Sequence, residues 1–190
     1  MWESILRKIA GSLILIGATQ FIICMIASEA LYGGYSTANN YISDLGVGPS
    51  GILFNSSVFL FGLMILGGTY YIWRASRNTL FTISFLLAGI GTTGVGIFPE
   101  SAGSIHIVVS LIAFLFGGLS AIFAYKLEES PLNYVSVIMG LIALIALFLF
   151  ITQNFLGLGK GGMERIVLYP LVLWVIAFGG HLIGLKEKQS

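Results

Sequence analysis

Charge is scarce in this chain: 9% of its 190 residues are Asp, Glu, Lys or Arg, against about 25% in a soluble domain. So few charges cannot cover a water-facing surface, and 57% of the residues are hydrophobic. Lipid is the solvent that fits. The single cysteine, Cys24, excludes an internal disulfide and paired-cysteine metal sites. Placed within an apolar run, it reads as a small core residue. There is no basic run of five or more residues and the net charge is +1, which leaves no footprint for a nucleic-acid partner. No HxxxH or HExxH spacing occurs, so a three-histidine zinc site is excluded. No GxSxG nucleophile elbow is present either.

What the chain does have is apolar runs of the length that spans a hydrocarbon core of about 30 Å. Six of them cover approximately residues 9–28, 52–73, 80–98, 105–125, 134–154 and 166–185. Each is expected to be helical, because lipid offers backbone groups no partner. The expected architecture is an all-α membrane protein, a single compact bundle of six transmembrane helices over residues 1–190. The first run follows Arg7-Lys8, and Ser28-Glu29-Ala30 looks like a signal-peptide cleavage site. The run exceeds the length of about 7–15 residues usual for a signal core, so it reads as a retained helix. Arg7, Lys8, Arg74, Arg77, Lys126, Lys186 and Lys188 fall on one side, Lys160 and Arg165 on the other. That bias predicts cytoplasmic N- and C-termini in a multi-pass protein of the cell membrane. Tyr32, Tyr35, Tyr41, Trp73, Tyr125, Tyr134, Tyr169 and Trp174 flank the runs and read as interfacial belts.

The polar residues gather on the outward side, in Glu29, Asn39, Asn40, Ser43, Asp44, Asn55, Glu100, His106, Gln153, Asn154, Glu164 and Arg165. The middle of the membrane holds almost nothing ionisable, so a path for ions through the protein is not expected. Residues 39–51 combine turn formers with apolar Tyr41, Ile42, Leu45 and Val47, which predicts a loop folded back on the bundle. Asp44 within it is a candidate metal ligand, base or cation partner, and equally a helix cap. Residues 89–100 carry glycines at 89, 91, 94 and 96, which thin the third helix for close packing. That stretch is not a nucleotide loop, since no strand precedes it and it has no lysine. His106 shares a helix face with Ser110, four residues on. It is a candidate general acid or base, or a metal ligand together with Glu29, Asp44 and Glu100, and equally a buried histidine satisfied by Asp44 or Glu100. His181 lies at the opposite end. Arg165 is a candidate for an anionic group such as a lipid phosphate, or else an ion pair with Glu164.

Ile42-Ser43-Asp44-Leu45-Gly46 before the second helix, followed by Pro49 and Leu53-Phe54 opening it, resembles the DRAM/Sfk family of six-helix membrane proteins. A glycine-bearing third helix ending at Phe98, with His106 eight residues later, is a second likeness. That family takes in damage-regulated autophagy modulators, Sfk-type phosphoinositide-kinase regulators and a lipid-remodelling factor for GPI anchors. The chain is most similar to its uncharacterised prokaryotic and archaeal members. The resemblance spans roughly residues 39–125 and carries over only Ser43, Asp44, Gly46 and His106. It implies lipid-linked work at a membrane.

The reading that follows is a lipid-handling bundle with membrane lipids as partners and a polar pocket near the outer leaflet. If it is a hydrolase or acyltransferase, His106 acts as base and Asp44 orients it. Glu29, Ser43, Asn55, Glu100, Ser110, Asn154 and Arg165 are the candidate ligand-binding residues. No resident metal or other cofactor is assigned, and a homo-oligomer is compatible with the sequence. A non-enzymatic scaffold or regulator is the alternative, and a small transporter a third reading.

Overall fold

The computed structural model describes residues 2–185. Among them are six α-helices and no strand: α1 (Trp2–Leu31), α2 (Gly51–Ser76), α3 (Thr79–Ile97), α4 (Ser104–Phe123), α5 (Leu132–Ile151) and α6 (Gly159–Gly184). All six are long and apolar enough to cross a membrane. Each packs against its neighbour in sequence, and α6 returns to α1 to close a ring. Large apolar side chains such as Ile23, Ile52, Ile107 and Phe148 lie exposed on its outside. That is costly in water but expected of a surface that faces acyl chains.

The helices do not stop where the apolar runs stop. Hydropathy marks the part of a helix in hydrocarbon, whereas the helix continues wherever neighbours or water satisfy its backbone. The largest difference is in α6, which begins at Gly159, seven residues before the run at 166. Glu164 and Arg165 therefore sit in its second turn, not in a loop. At the other boundary α5 ends at Ile151, and Gln153 turns out of the helix with a φ of 57°.

Small residues set the helix seams. A Cβ on Gly91 would lie 2.5 Å from the Ala113 nitrogen and 2.8 Å from the Val109 oxygen of α4. On the opposite side of α3, a Cβ on Gly96 would lie 2.5 Å from the Phe59 nitrogen of α2. Backbone therefore meets backbone on both flanks of α3, the close approach that small residues permit in membranes. Between α1 and α2, the Gln20 Nε2 donates to the Ser57 oxygen at 2.9 Å.

The bundle has two unlike ends. One, here the terminal end, carries Arg7, Lys8, Arg74, Arg77 and Lys126; Lys186 and Lys188 lie outside the described residues. The other, the loop end, is made by residues 32–50, 98–103 and 152–158. At the terminal end Glu128 turns inward from the α4–α5 connection and is 7% exposed, although its neighbour Glu129 is exposed. The Trp174 Nε1 donates to Glu128 Oε1 at 3.2 Å, and Glu128 Oε2 is buried without a partner among the described residues. Burial pushes this carboxyl above the usual carboxylate range, against the opposing pull of the Trp174 N–H and the nearby Ser136 hydroxyl.

Two outcomes follow from these contacts. Gly91→Leu should destabilise the bundle by at least about 1–3 kcal/mol, through overpacking that backbone cannot relieve. Thermal unfolding of the detergent-solubilised protein would read this. Because the carboxyl of Glu128 is raised in the fold, its contribution to stability is complete below its unfolded value of about 4.3 and is lost as pH climbs through the folded value. Glu128→Gln should flatten that decline in a melting series against pH, whereas Glu128→Ala should cost about 1–3 kcal/mol by orphaning the Trp174 N–H.

Candidate functional site

The loop end is held by the first turns of α6. Gly161 donates its N–H to the Ala38 oxygen at 3.0 Å. A Cβ on Gly161 would collide with the carbonyl oxygens of Asn40 and Thr37, so only glycine lets the loop backbone rest on the helix here. One turn on, Arg165 spreads its guanidinium over the same loop. Its NH1 group donates to the Thr37 oxygen at 2.9 Å and the Gly161 oxygen at 3.0 Å. Its NH2 group donates to Glu29 Oε1 at 2.5 Å and to the Tyr35 hydroxyl at 2.8 Å. Tyr35 in turn donates to the Tyr41 oxygen at 2.8 Å. Burial pushes the Tyr35 hydroxyl up to about 12, partly offset by Arg165, so it keeps the proton it donates. The adjacent Glu164 takes the Ile42 N–H on Oε2 at 2.5 Å. Two neighbouring residues of opposite charge thus fix residues 35–42 from one helix face.

That grip places the next residues. Asp44 Oδ2 accepts from Asn40 Nδ2 at 2.9 Å and from the Tyr41 N–H at 2.8 Å, inside the short 3₁₀ turn Ser43–Gly46 and its approach. The Ser43 hydroxyl donates to Glu100 Oε2 at 3.2 Å across to the α3–α4 connection. Burial and the adjoining Asp44 carboxylate raise Glu100 above its ordinary range, while Ser43 and Lys160 pull the other way. From α2, the Asn55 Nδ2 donates to the Gly46 oxygen at 2.8 Å and closes the turn.

His106 opens α4 and is 8% exposed. Its Nδ1 is 2.8 Å from the Phe98 oxygen, and its Nε2 is 3.3 Å from the Ser110 hydroxyl. A carbonyl oxygen only accepts, so Nδ1 carries a proton. In the neutral ring Nε2 then accepts from Ser110. The pairing of Asp44 with His106 expected from the sequence is not formed: a backbone carbonyl holds the ring. Nor do Glu29, Asp44 and Glu100 gather on His106, for no group of three His, Cys, Asp or Glu placed to hold a metal exists among the described residues. His181 lies far off, with its Nε2 3.3 Å from the Leu127 oxygen.

Beneath this end lies a partly enclosed cavity of about 100 Å³ inside the ring. Ser43, Thr92, His106, Ser110 and Glu164 supply its polar lining, and most of the remainder is apolar, including Phe21, Phe54, Phe61 and Phe114. It extends from His106 to Gly117 along α4 and from Glu164 to Val175 along α6. At 1.5 Å per residue that is about 16 Å, close to half a hydrocarbon core of about 30 Å. Its floor is aromatic. Phe85, Trp174 and Phe178 pack together with ring centroids 5.6–6.3 Å apart, and Phe81 stacks beneath, 5.2 Å from Phe178.

The structure gathers Glu29, Ser43, Asp44, Glu100, His106, Ser110 and Arg165 at one end, but in two groups. Ser43, His106 and Ser110 line the cavity; Glu29 and Arg165 form a loop anchor, and Asn55 serves the turn. Asn154 is exposed and stands apart. The ion-pair partner of Arg165 is Glu29, not Glu164. Trp174 is no belt residue, being 2% exposed at the cavity floor, and Tyr35 belongs to the Arg165 network. Glu164 is the cavity carboxylate that the sequence reading set aside, and Glu128 was not singled out at all. The signal for the first was an adjacent acid and base opening an apolar run. Nothing separated Glu128 from Glu129.

Arg165→Ala should destabilise the protein by about 3–5 kcal/mol, because Glu29 would be left partly buried and unpaired. Arg165→Lys should recover little of this, since one ammonium cannot serve acceptors on both arms of the fork. The double variant Glu29→Gln/Arg165→Met should be milder than Arg165→Ala; melting temperatures of the three check it.

No curated protein and no solved structure is detectably similar to the chain. One family model matches, over residues 15–181, which reaches into all six helices and takes in every residue that lines the cavity. The chain belongs to the membrane-protein family described as "protein of unknown function (DUF998)".

Proposed function

We propose that this protein holds an amphiphilic molecule of the membrane, its apolar part inside the ring and its polar head at the loop end. The cavity carries this reading: it is about one leaflet deep, apolar along its walls, and polar only at its mouth. Lipid-facing bundles gain nothing from an internal void, since unfilled space forfeits dispersion contacts. A void lined by aromatic and aliphatic side chains with a few convergent polar groups is the usual form of a ligand site. The DRAM/Sfk resemblance of residues 39–54 and His106 points the same way, toward lipid-linked work. The clustering of Lys and Arg at the terminal end supports an outward-facing loop end, in contact with the outer leaflet.

Binding is favoured over turnover. Ser110 and His106 are spaced like a nucleophile and base, and an acyl-transfer reading draws on that contact. Ser110 sits within a helix, however, where the neighbouring backbone N–H groups are committed to carbonyls one turn back. A tetrahedral intermediate formed there would lack the pair of free donors that such chemistry relies on. Transport through the bundle would require the Phe81–Phe85–Trp174–Phe178 floor to part.

Filling the cavity separates a binder from a scaffold. Ala113 lines the void, and Ala113→Phe should lower the lipid that co-purifies with the protein about tenfold, as counted by native mass spectrometry, with the melting temperature held or raised. Undiminished lipid in a well-folded Ala113→Phe protein would overturn the reading and leave a packing scaffold.

A further inference from the structure

Resting on the proposed binding role, we infer that the head group this cavity takes is a cation, an ammonium on a single-chain amphiphile, and not a phosphate. The charge of the lining decides it. Glu164 lines the void and is 7% exposed. One of its oxygens accepts the Ile42 N–H, and the other has no hydrogen-bond partner among the described residues. Ser43 beside it presents a hydroxyl whose proton goes to Glu100, and Glu100 adjoins Asp44. Glu164 is thus the one ionisable acid on the cavity wall, Glu100 stands behind Ser43, and no lysine or arginine lines the cavity.

Neither cation at this end lines the cavity, although Lys160 bears on Glu100 from outside it. Arg165 gives NH1 and NH2 to Thr37, Gly161, Glu29 and Tyr35, and its Nε is buried. Lys160 lies over the Tyr41 ring, 4.1 Å from its centroid. A phosphate entering the mouth would meet carboxylates with no free guanidinium to answer it. An ammonium would give the open Glu164 oxygen the opposite charge it lacks, and a buried carboxylate gains most from such a partner. Its remaining N–H groups reach the Ser43 and Glu100 oxygens, and the phenylalanines below accept the chain, with ring faces that also suit a cation.

The test uses Trp174, at the cavity floor, as its own reporter. Trp2 and Trp73 are exposed, so the full chain would carry Trp2→Phe and Trp73→Phe and be placed in phosphatidylcholine nanodiscs. Three dodecyl amphiphiles brominated at the chain end, bearing a primary ammonium, a neutral hydroxyl or a phosphate, would be titrated against Trp174 emission. The ammonium should quench at about tenfold lower membrane concentration than the alcohol, and the phosphate should not quench. Glu164→Gln should bring the ammonium to within about threefold of the alcohol and leave the alcohol unchanged. If that variant does not fold, Glu100→Gln carries the same expectation. Equal quenching by all three heads, or preference for the phosphate, would overturn the charge selection and leave the binding role standing. No quenching by any chain, with Trp174 emission intact, would overturn the binding role and this inference together.

Discussion

The arrangement at the loop end depends on one adjacent pair of charges, Glu164 and Arg165, in the second turn of α6. Arg165 alone ties α1 through Glu29 to two loop acceptors and to its own helix. Glu164 fixes the backbone at Ile42, one residue before Ser43. Buried Ile42 and Leu45 draw residues 32–50 onto the bundle, but the glycines and serines there favour many turns, and these bonds select one of them. With them, the loop becomes a roof whose inner residues, Ile42 and Ser43, form part of the cavity wall. A buried ion pair adds little net stability against an apolar substitute, but it specifies geometry because each partner is expensive to strand. Position is what the pair supplies here.

The same chain is packed tightly in one place and left open in another. At Gly91 and Gly96 the backbone of α3 meets both neighbours with no room for a methyl group. Near the loop end of the ring the facing side chains stop short of one another and leave the void. If only packing mattered, the large side chains available would have closed it, as they do at the floor, where Phe81, Phe85, Trp174 and Phe178 interlock. The contrast within a single bundle argues that the opening is specified by the sequence and not a failure of packing.

Much of this is legible in the sequence. Apolar runs of membrane length predict the six helices, and the polar residues concentrated on one side are gathered by the structure at the loop end. The turn-rich loop with apolar residues at 41, 42, 45 and 47 predicted a segment folded back on the bundle. What was not legible was partnership. Opposite charges at 29 and 165 lie 136 residues apart, and a neighbour in sequence, Glu164, looked the better mate for Arg165. Helix geometry separates adjacent residues by about 100° and makes such neighbours poor partners. Asp44 and His106 are both polar and both at the right depth, yet the ring of His106 is satisfied by Phe98, a backbone carbonyl that no side-chain pattern announces. Burial of Trp174 is equally hidden, because it lies mid-run and an even apolar run does not show which helix face turns inward.

The placement of acids then separates the two ends. Glu128 and Glu164 are equally buried, at 7% exposure each, but they stand in opposite situations. Glu128 is plugged by the Trp174 indole and shut behind the aromatic floor, and burial alone raises its carboxyl toward the neutral form. Glu164 opens onto space, with one oxygen held and the other free to meet a visitor. An acid plugged behind the floor and an open acid above it leave the cavity with its ionisable group at one end. An amphiphile whose chain points down and whose head stays at the mouth matches that polarity. A solute that had to leave by the terminal end would meet four interlocked rings and a carboxyl already engaged. The asymmetry of the two carboxyls, more than the number of helices, is what gives the cavity an open polar end and a closed apolar one.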